Sequence, residues 1–162
     1  MAYIRIDFYK NLFDEIPESD FNRLSWEACR LLDIHTTGLD GVKKLKTAFP
    51  TDEDDAEAVK MCACKVVNIL YQIQQAEAVA AQASGYTVTE QGLQRKIISR
   101  IEAGNEAISF SETKNTSTAI DSAVADKTVR DNLISNTIRE YLSGVADANG
   151  VNLLYMGRYP RV

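Results

Sequence analysis

Between Pro50 and the Ser84-Gly85 pair the chain keeps a single helical stripe: Val59, Ala63, Val66, Leu70 and Ile73 recur at alternating steps of four and three. A helix of about 33 residues would be roughly 50 Å long at 1.5 Å per residue. A small bundle cannot cover a rod of that length, so its end is expected to project or to pack on a neighbour. The last turns are alanine-rich, and Ala76, Ala80 and Ala83 mark the face expected to approach another copy closely. At the other end Thr51 is the expected N-cap, with Asp54 three residues on and Asp52, Glu53 and Asp55 filling the first turn. Carboxylates there face the orphan backbone N–H groups. The spacing and turn glycine of an EF-hand loop are missing, so the acidic cluster reads as a helix start.

Eight glycines and three prolines in 162 residues disfavour a turn-dense β-sandwich, and the fold class expected is mainly α. The bundle domain is expected over 16–144. Pro17 and Glu18 open a helix whose stripe is Phe21, Leu24, Ala28 and Leu31 or Leu32, ending before Gly38. Gly41 to Phe49 holds a short helical turn with Val42 and Leu45 inward, stopped by Pro50. Residues 86–116 read as a loop insertion. It contains a short helical signal (Leu93, Ile97, Ile98, Ile101), then a β-hairpin or extended loop near 104–113, where Ile108 and Phe110 follow Gly104 with period two. A separate turn is expected at Ile120–Ala125, then a helix from about Lys127 with Gly144 as its C-terminal stop. Flanking the bundle are an aromatic N-terminal arm, 1–15, with Tyr3, Phe8, Tyr9 and Phe13, and an extended C-terminal tail, 145–162, with the apolar run Val151–Met156. Each end either folds onto its own domain or crosses another surface.

With 18 basic and 23 acidic residues the formal net charge is −5. The basic clusters Lys43, Lys44, Lys46 and Arg95, Lys96, Arg100 are short and read as solvated faces, which disfavours sequence-specific DNA binding. Cys29, Cys62 and Cys64 are odd in number and lie within helical patterns. Cys62 and Cys64 diverge by roughly 200° on a helix, so they read as small apolar filler. One histidine, His35, sits where a helix C-terminus favours its cation. No phosphate loop, nucleophile elbow, HExxH or CxxC is present. Neither catalysis, a metal nor a cofactor is expected. No apolar run reaches the ~18–20 residues of a membrane helix, and the N-terminus lacks a basic segment followed by an apolar core.

Several segments, in order, resemble the head–tail connector (adaptor) proteins of long-tailed bacteriophages. They are Tyr9, then Ile16-Pro17-Glu18, Phe21, Leu24, Ala28, Asp33 and Thr36; Val59-Lys60, Ala63-Cys64 and Leu70-Tyr71; Gly104 with Ile108-Ser109-Phe110; Tyr141-Leu142-Ser143-Gly144; and Leu153-Leu154-Tyr155-Met156-Gly157. The spacer 145–152 and the stretch 111–128 are longer than in that family. The resemblance implies a helical bundle assembling as a dodecameric homo-oligomer ring beneath the portal protein. That ring sits in the virion neck, is made in the host cytoplasm, and docks a stopper or tail-completion protein. DNA would pass through its channel without sequence-specific binding, and an acidic lumen would repel the DNA backbone. It also implies that Leu153, Leu154, Tyr155, Met156 and Gly157 contact portal, and that Gly104, Ile108 and Phe110 contact the channel or a neighbour. Truncation after Gly150 is then expected to leave a folded protein that no longer joins portal. The alternative from the residues alone is a soluble cytoplasmic helical adaptor or regulator that binds a partner helix.

Overall fold

The computed structural model describes residues 3–13, 16–82, 86–89, 92–95, 100–103, 106–109 and 118–160, with the backbone alone from 79 to 109. It is mainly helical. Its helices are α1 (Ile6–Lys10), α2 (Glu18–His35), α3 (Lys44–Thr47), α4 (Glu53–Gln82), α5 (Ala119–Ala125) and α6 (Lys127–Leu142). Four short strands are β1 (Tyr86–Thr89), β2 (Gly92–Arg95), β3 (Arg100–Ala103) and β4 (Glu106–Ser109). The chain forms two compact units, Met1–Tyr71 with Ile134–Val162, and Gln72–Leu133.

In the first unit the apolar stripes form the core. Phe21, Leu24, Ala28 and Leu32 of α2 are buried, as are Val59, Ala63, Val66 and Leu70 of α4 and Ile134, Ile138 and Leu142 of α6. Each large side chain so enclosed stabilises by about 1.5–3 kcal/mol. Leu32, rather than Leu31, completes the α2 stripe. Cys62, Ala63 and Cys64 are all fully buried, so α4 is enclosed over most of its circumference there, with Met61, Lys65 and Asn68 marking its half-buried side. The three cysteines are free thiols. Burial pushes Cys62 and Cys64 up to about 12 and raises Cys29 as well. With so little thiolate, all three are expected to resist an aromatic disulfide reagent at mildly alkaline pH and to react only as fast as the domain opens. Rapid labelling of the native protein would contradict this burial.

The helix starts differ from the sequence reading in one place. Asp52, not Thr51, caps α4: its Oδ1 accepts the Asp54 and Asp55 N–H groups at 3.1 and 3.2 Å, and its carbonyl accepts from Ala56 at 2.9 Å. The helix therefore begins one residue later, and a carboxylate does the capping that a hydroxyl was expected to do. At α2, Pro17 is the N-cap (φ −57°), and its carbonyl accepts the Phe21 N–H at 2.9 Å. Gly144 at φ +85° ends α6, as a left-handed stop requires.

Both chain ends fold onto the first unit. The arm is not extended throughout, because Ile6–Lys10 is helical. Tyr9 is buried, packs its ring on Phe13 and Phe21, and reaches Asn68 Oδ1 at 3.4 Å, while Ile4 is also buried. At the other end the tail turns back on itself. Leu153 N–H donates to the Val145 carbonyl at 2.9 Å, and Asp147 Oδ1 accepts from Asn149 and Val151 N–H, each at 2.9 Å. Gly150 at φ +75° closes the turn. This loop is tied down where Ala146 N–H meets Asp55 Oδ2 at 3.1 Å and Ala148 N–H meets the Ala48 carbonyl at 3.3 Å.

In the second unit β1 pairs with β2 and β3 with β4, both antiparallel, with Tyr86 opposite Arg95 and Ile101 opposite Ile108. Leu93 and Ile101 therefore lie in extended backbone, not in the short helix read from their spacing. β-Branched and polar residues in alternation prevail there over a three-to-four step. Ile97 and Ile98 lie outside the described residues. A capping box between Thr118 and Asp121 starts α5, which lies beside β2. Arg130 pairs with Glu77 at 3.7 Å.

Candidate functional site

The most elaborated polar arrangement among the described residues surrounds α3. The helix is a single turn, and its first residue, Lys44, is wholly buried. The sequence reading placed Lys44 on a solvated face. Its long stem instead carries the ammonium inward, where it donates to the Leu153 carbonyl at 2.9 Å and to the Tyr155 carbonyl, beside the Tyr155 ring. Burial lowers its pKa, and the nearby Asp147 and Asp40 carboxylates oppose that shift. Two residues on, Lys46 Nζ pairs with Asp33 Oδ2 at 3.0 Å. The other oxygen of that buried carboxylate accepts the Tyr3 hydroxyl at 2.5 Å. Burial first, and the bond to Asp33 second, raise the Tyr3 phenol well above its ordinary value. Tyr3 also stacks on Phe49 and gives its N–H to Cys29 Sγ at 3.4 Å.

Past Leu153 the tail runs as a strap over the loop between α2 and α3. Leu39 N–H donates to the Met156 carbonyl at 3.1 Å. Tyr159 N–H donates to Asp40 Oδ2 at 2.7 Å, which holds the Asp40 carboxyl below its ordinary value. The Tyr159 hydroxyl donates to Asp147 Oδ2 at 2.5 Å and accepts from Asn149 Nδ2 at 2.8 Å. A Cβ on Gly38 would stand 2.6 Å from the Gly157 carbonyl oxygen, so only glycine admits the strap at that point. The strap's polar groups are thus turned inward. Its apolar side chains are not: Tyr155 and Met156 are 51% and 53% exposed, next to Leu39 at 83%. On α2, Trp26 and Ile34 are also exposed.

The residues singled out from sequence fall into separate places. Leu153 is fully buried and so is an anchor within its own domain, Leu154 is half-buried, and Tyr155 and Met156 are on the surface. Gly157 lies against the Tyr155 ring and Gly38. Ala76 is half-buried in the second unit. Ala80 lies in α4, but its side chain is outside the described part, as is Ala83 altogether. Ile108 belongs to β4, while Gly104 and Phe110 lie outside the described residues. His35 is the last residue of α2, at the helix end expected for it. Asp40, Asp147 and Tyr159 carry no signal in the sequence reading, and Lys44 figures there only as solvated charge. Among the described residues no His, Cys, Asp or Glu group is arranged to hold a metal ion, and no helix is long and apolar enough to cross a membrane. The fold and site together define a mainly helical domain whose chain ends are pinned by polar contacts beside an exposed apolar patch. No protein-family model, curated protein or solved structure matches the chain.

Proposed function

We propose that this chain is a structural subunit of a bacteriophage head–tail connector, one copy of a ring that sits beneath the portal, extends the DNA channel and docks the stopper or tail. The observation that carries the reading is the state of the tail motif resembling that family's ending. Its Leu153 anchors the segment, while Tyr155 and Met156 stand on the surface beside Leu39. Apolar side chains gathered at one place, rather than scattered singly, favour a partner surface. Both chain ends pack on their own unit, so the reading does not rest on greasy termini in search of cover. The portal contact is assigned to Tyr155 and Met156, with Leu39 at their side. A charge of −5 per chain, repeated around a ring, suits a channel through which DNA slides. The head-to-tail contacts of such a ring need two different surfaces on each copy, and the exposed Trp26 and Ile34 of α2 supply a candidate for one of them.

The test is assembly. Electron microscopy of the purified chain mixed with portal should show rings stacked on the portal, with a mass corresponding to many copies. A particle that stays monomeric in the presence of portal overturns the reading.

A further inference from the structure

Three lysine-side contacts converge on one short helix, and their arrangement has a consequence for both ends of the chain. A single helical turn has no stability of its own, because nucleation costs more than one turn returns. α3 therefore persists only through its anchors. These are the Lys44 ammonium on the Leu153 and Tyr155 carbonyls, the fully buried Leu45, and Lys46 on Asp33. The first anchor is shared with the C-terminal strap through the Tyr155 carbonyl. The third belongs, through Asp33 and the Tyr3 hydroxyl, to the N-terminal arm. We propose that α3 is a clasp that couples the two chain ends, so that the strap (residues 154–160) and the N-terminal arm loosen and tighten together through Lys44 and Lys46.

The coupling follows from which contacts are shared. Beyond Leu153 the strap is held by charged groups of the domain: Lys44 on the Tyr155 carbonyl, Asp40 on the Tyr159 N–H, and Asp147 on the Tyr159 hydroxyl. Tyr155 and Met156 are about half exposed and Leu153 stays enclosed, so this segment can open without opening the core. When it opens, Lys44 loses the Tyr155 carbonyl and keeps only the Leu153 carbonyl, which weakens one of the three anchors of α3. The turn then shifts, and Lys46 can no longer hold Asp33 in line with Tyr3. The coupling is reciprocal by linkage: releasing Tyr3 must weaken the strap by the same factor that releasing the strap weakens the arm. Nothing in the coupling depends on what the exposed patch binds.

Amide hydrogen exchange by NMR on the full chain tests it, because each end carries its own reporters. The Leu39 and Tyr159 N–H groups report the strap, since both bond across the docked interface. The Tyr9 and Phe13 N–H groups, bonded to the Arg5 and Tyr9 carbonyls, report the arm. In Lys44→Met, which keeps the stem and removes the donors, Leu39 and Tyr159 are expected to exchange about tenfold faster, and Tyr9 and Phe13 at least about fivefold faster. Amides in the middle of α4 and α6 should be unchanged. Tyr3→Phe should produce the reverse, with the arm loosened directly and Leu39 and Tyr159 following. If Lys44→Met also speeds the core amides, Asp40→Ala carries the test, since Asp40 is exposed and cuts the strap outside the core. Acceleration confined to the end that was mutated, with the other end within about twofold, overturns the proposal.

Discussion

Ending the chain after Gly150 is expected to destabilise the first unit by about 3–6 kcal/mol, a large part of the 5–15 kcal/mol typical of a domain. The loss has three sources. Leu153, wholly buried, goes with the tail and leaves an apolar gap beside the residues that enclosed it. Lys44 loses both carbonyl acceptors, and although water then reaches the ammonium, the bonds to a charged donor are worth about 1.5–3 kcal/mol. Asp147 loses the Val151 N–H and the Tyr159 hydroxyl, which frees the loop after α6. From sequence alone the same truncation was expected to leave a folded protein lacking only its partner contact. The burial of Leu153 adds a loss of stability to that expectation. Thermal melting followed by circular dichroism checks it: the truncated chain should melt about 10 °C or more below the full chain. A melting temperature within about 3 °C would mean that the tail contributes little to its own domain.

The sequence was informative wherever one residue type at a regular spacing decides the outcome. The stripes of α2 and α4 are legible because burial at steps of three and four leaves a periodic record, and Gly144 because only glycine adopts its φ cheaply. Lys44 left no such record. Next to Lys43 and close to Lys46 it looks like solvent-facing charge. What buries it is a pair of backbone carbonyls more than a hundred positions away, and carbonyls are the same in every residue. The tail was more legible than its reading. Asp147-Ala148-Asn149-Gly150 carries a turn signature, an Asp able to accept two N–H groups and a glycine for the left-handed step. That signature marks a chain folding back instead of running out. The polar letters of the tail fix its course. Asp40 and Tyr159 could not have been joined from sequence, since nothing local relates residues at that separation. Leu93 and Ile101 show the opposite limit, because four apolar residues at mixed spacing fit a short helix and a pair of strands equally well.

Leu153 and Met156 separate the two roles that one apolar motif combines. Leu153→Ala removes three buried carbons from a fully enclosed site and is expected to cost about 2–5 kcal/mol. Met156→Ala, at a side chain half in water, should change stability by about 0.5 kcal/mol or less. Binding should follow the other order. If the surface beside Leu39 is the portal contact, Met156→Ala and Tyr155→Ala each weaken portal binding by about tenfold or more, as loss of an exposed anchor does. Leu153→Ala then weakens it only in proportion to the fraction of unfolded chain. Denaturant titration gives the stabilities and a sedimentation assay with portal gives the binding. A Met156→Ala variant that is as stable as the parent and binds portal equally well removes the patch from the proposed interface. A Leu153→Ala variant of unchanged stability would show that the site relaxes to fill the gap, contrary to its complete enclosure. The two side chains lie three residues apart in one short motif. The difference between them arises from where the Lys44 ammonium and the Asp147 loop turn the backbone, placing one side chain inside and the other at the surface.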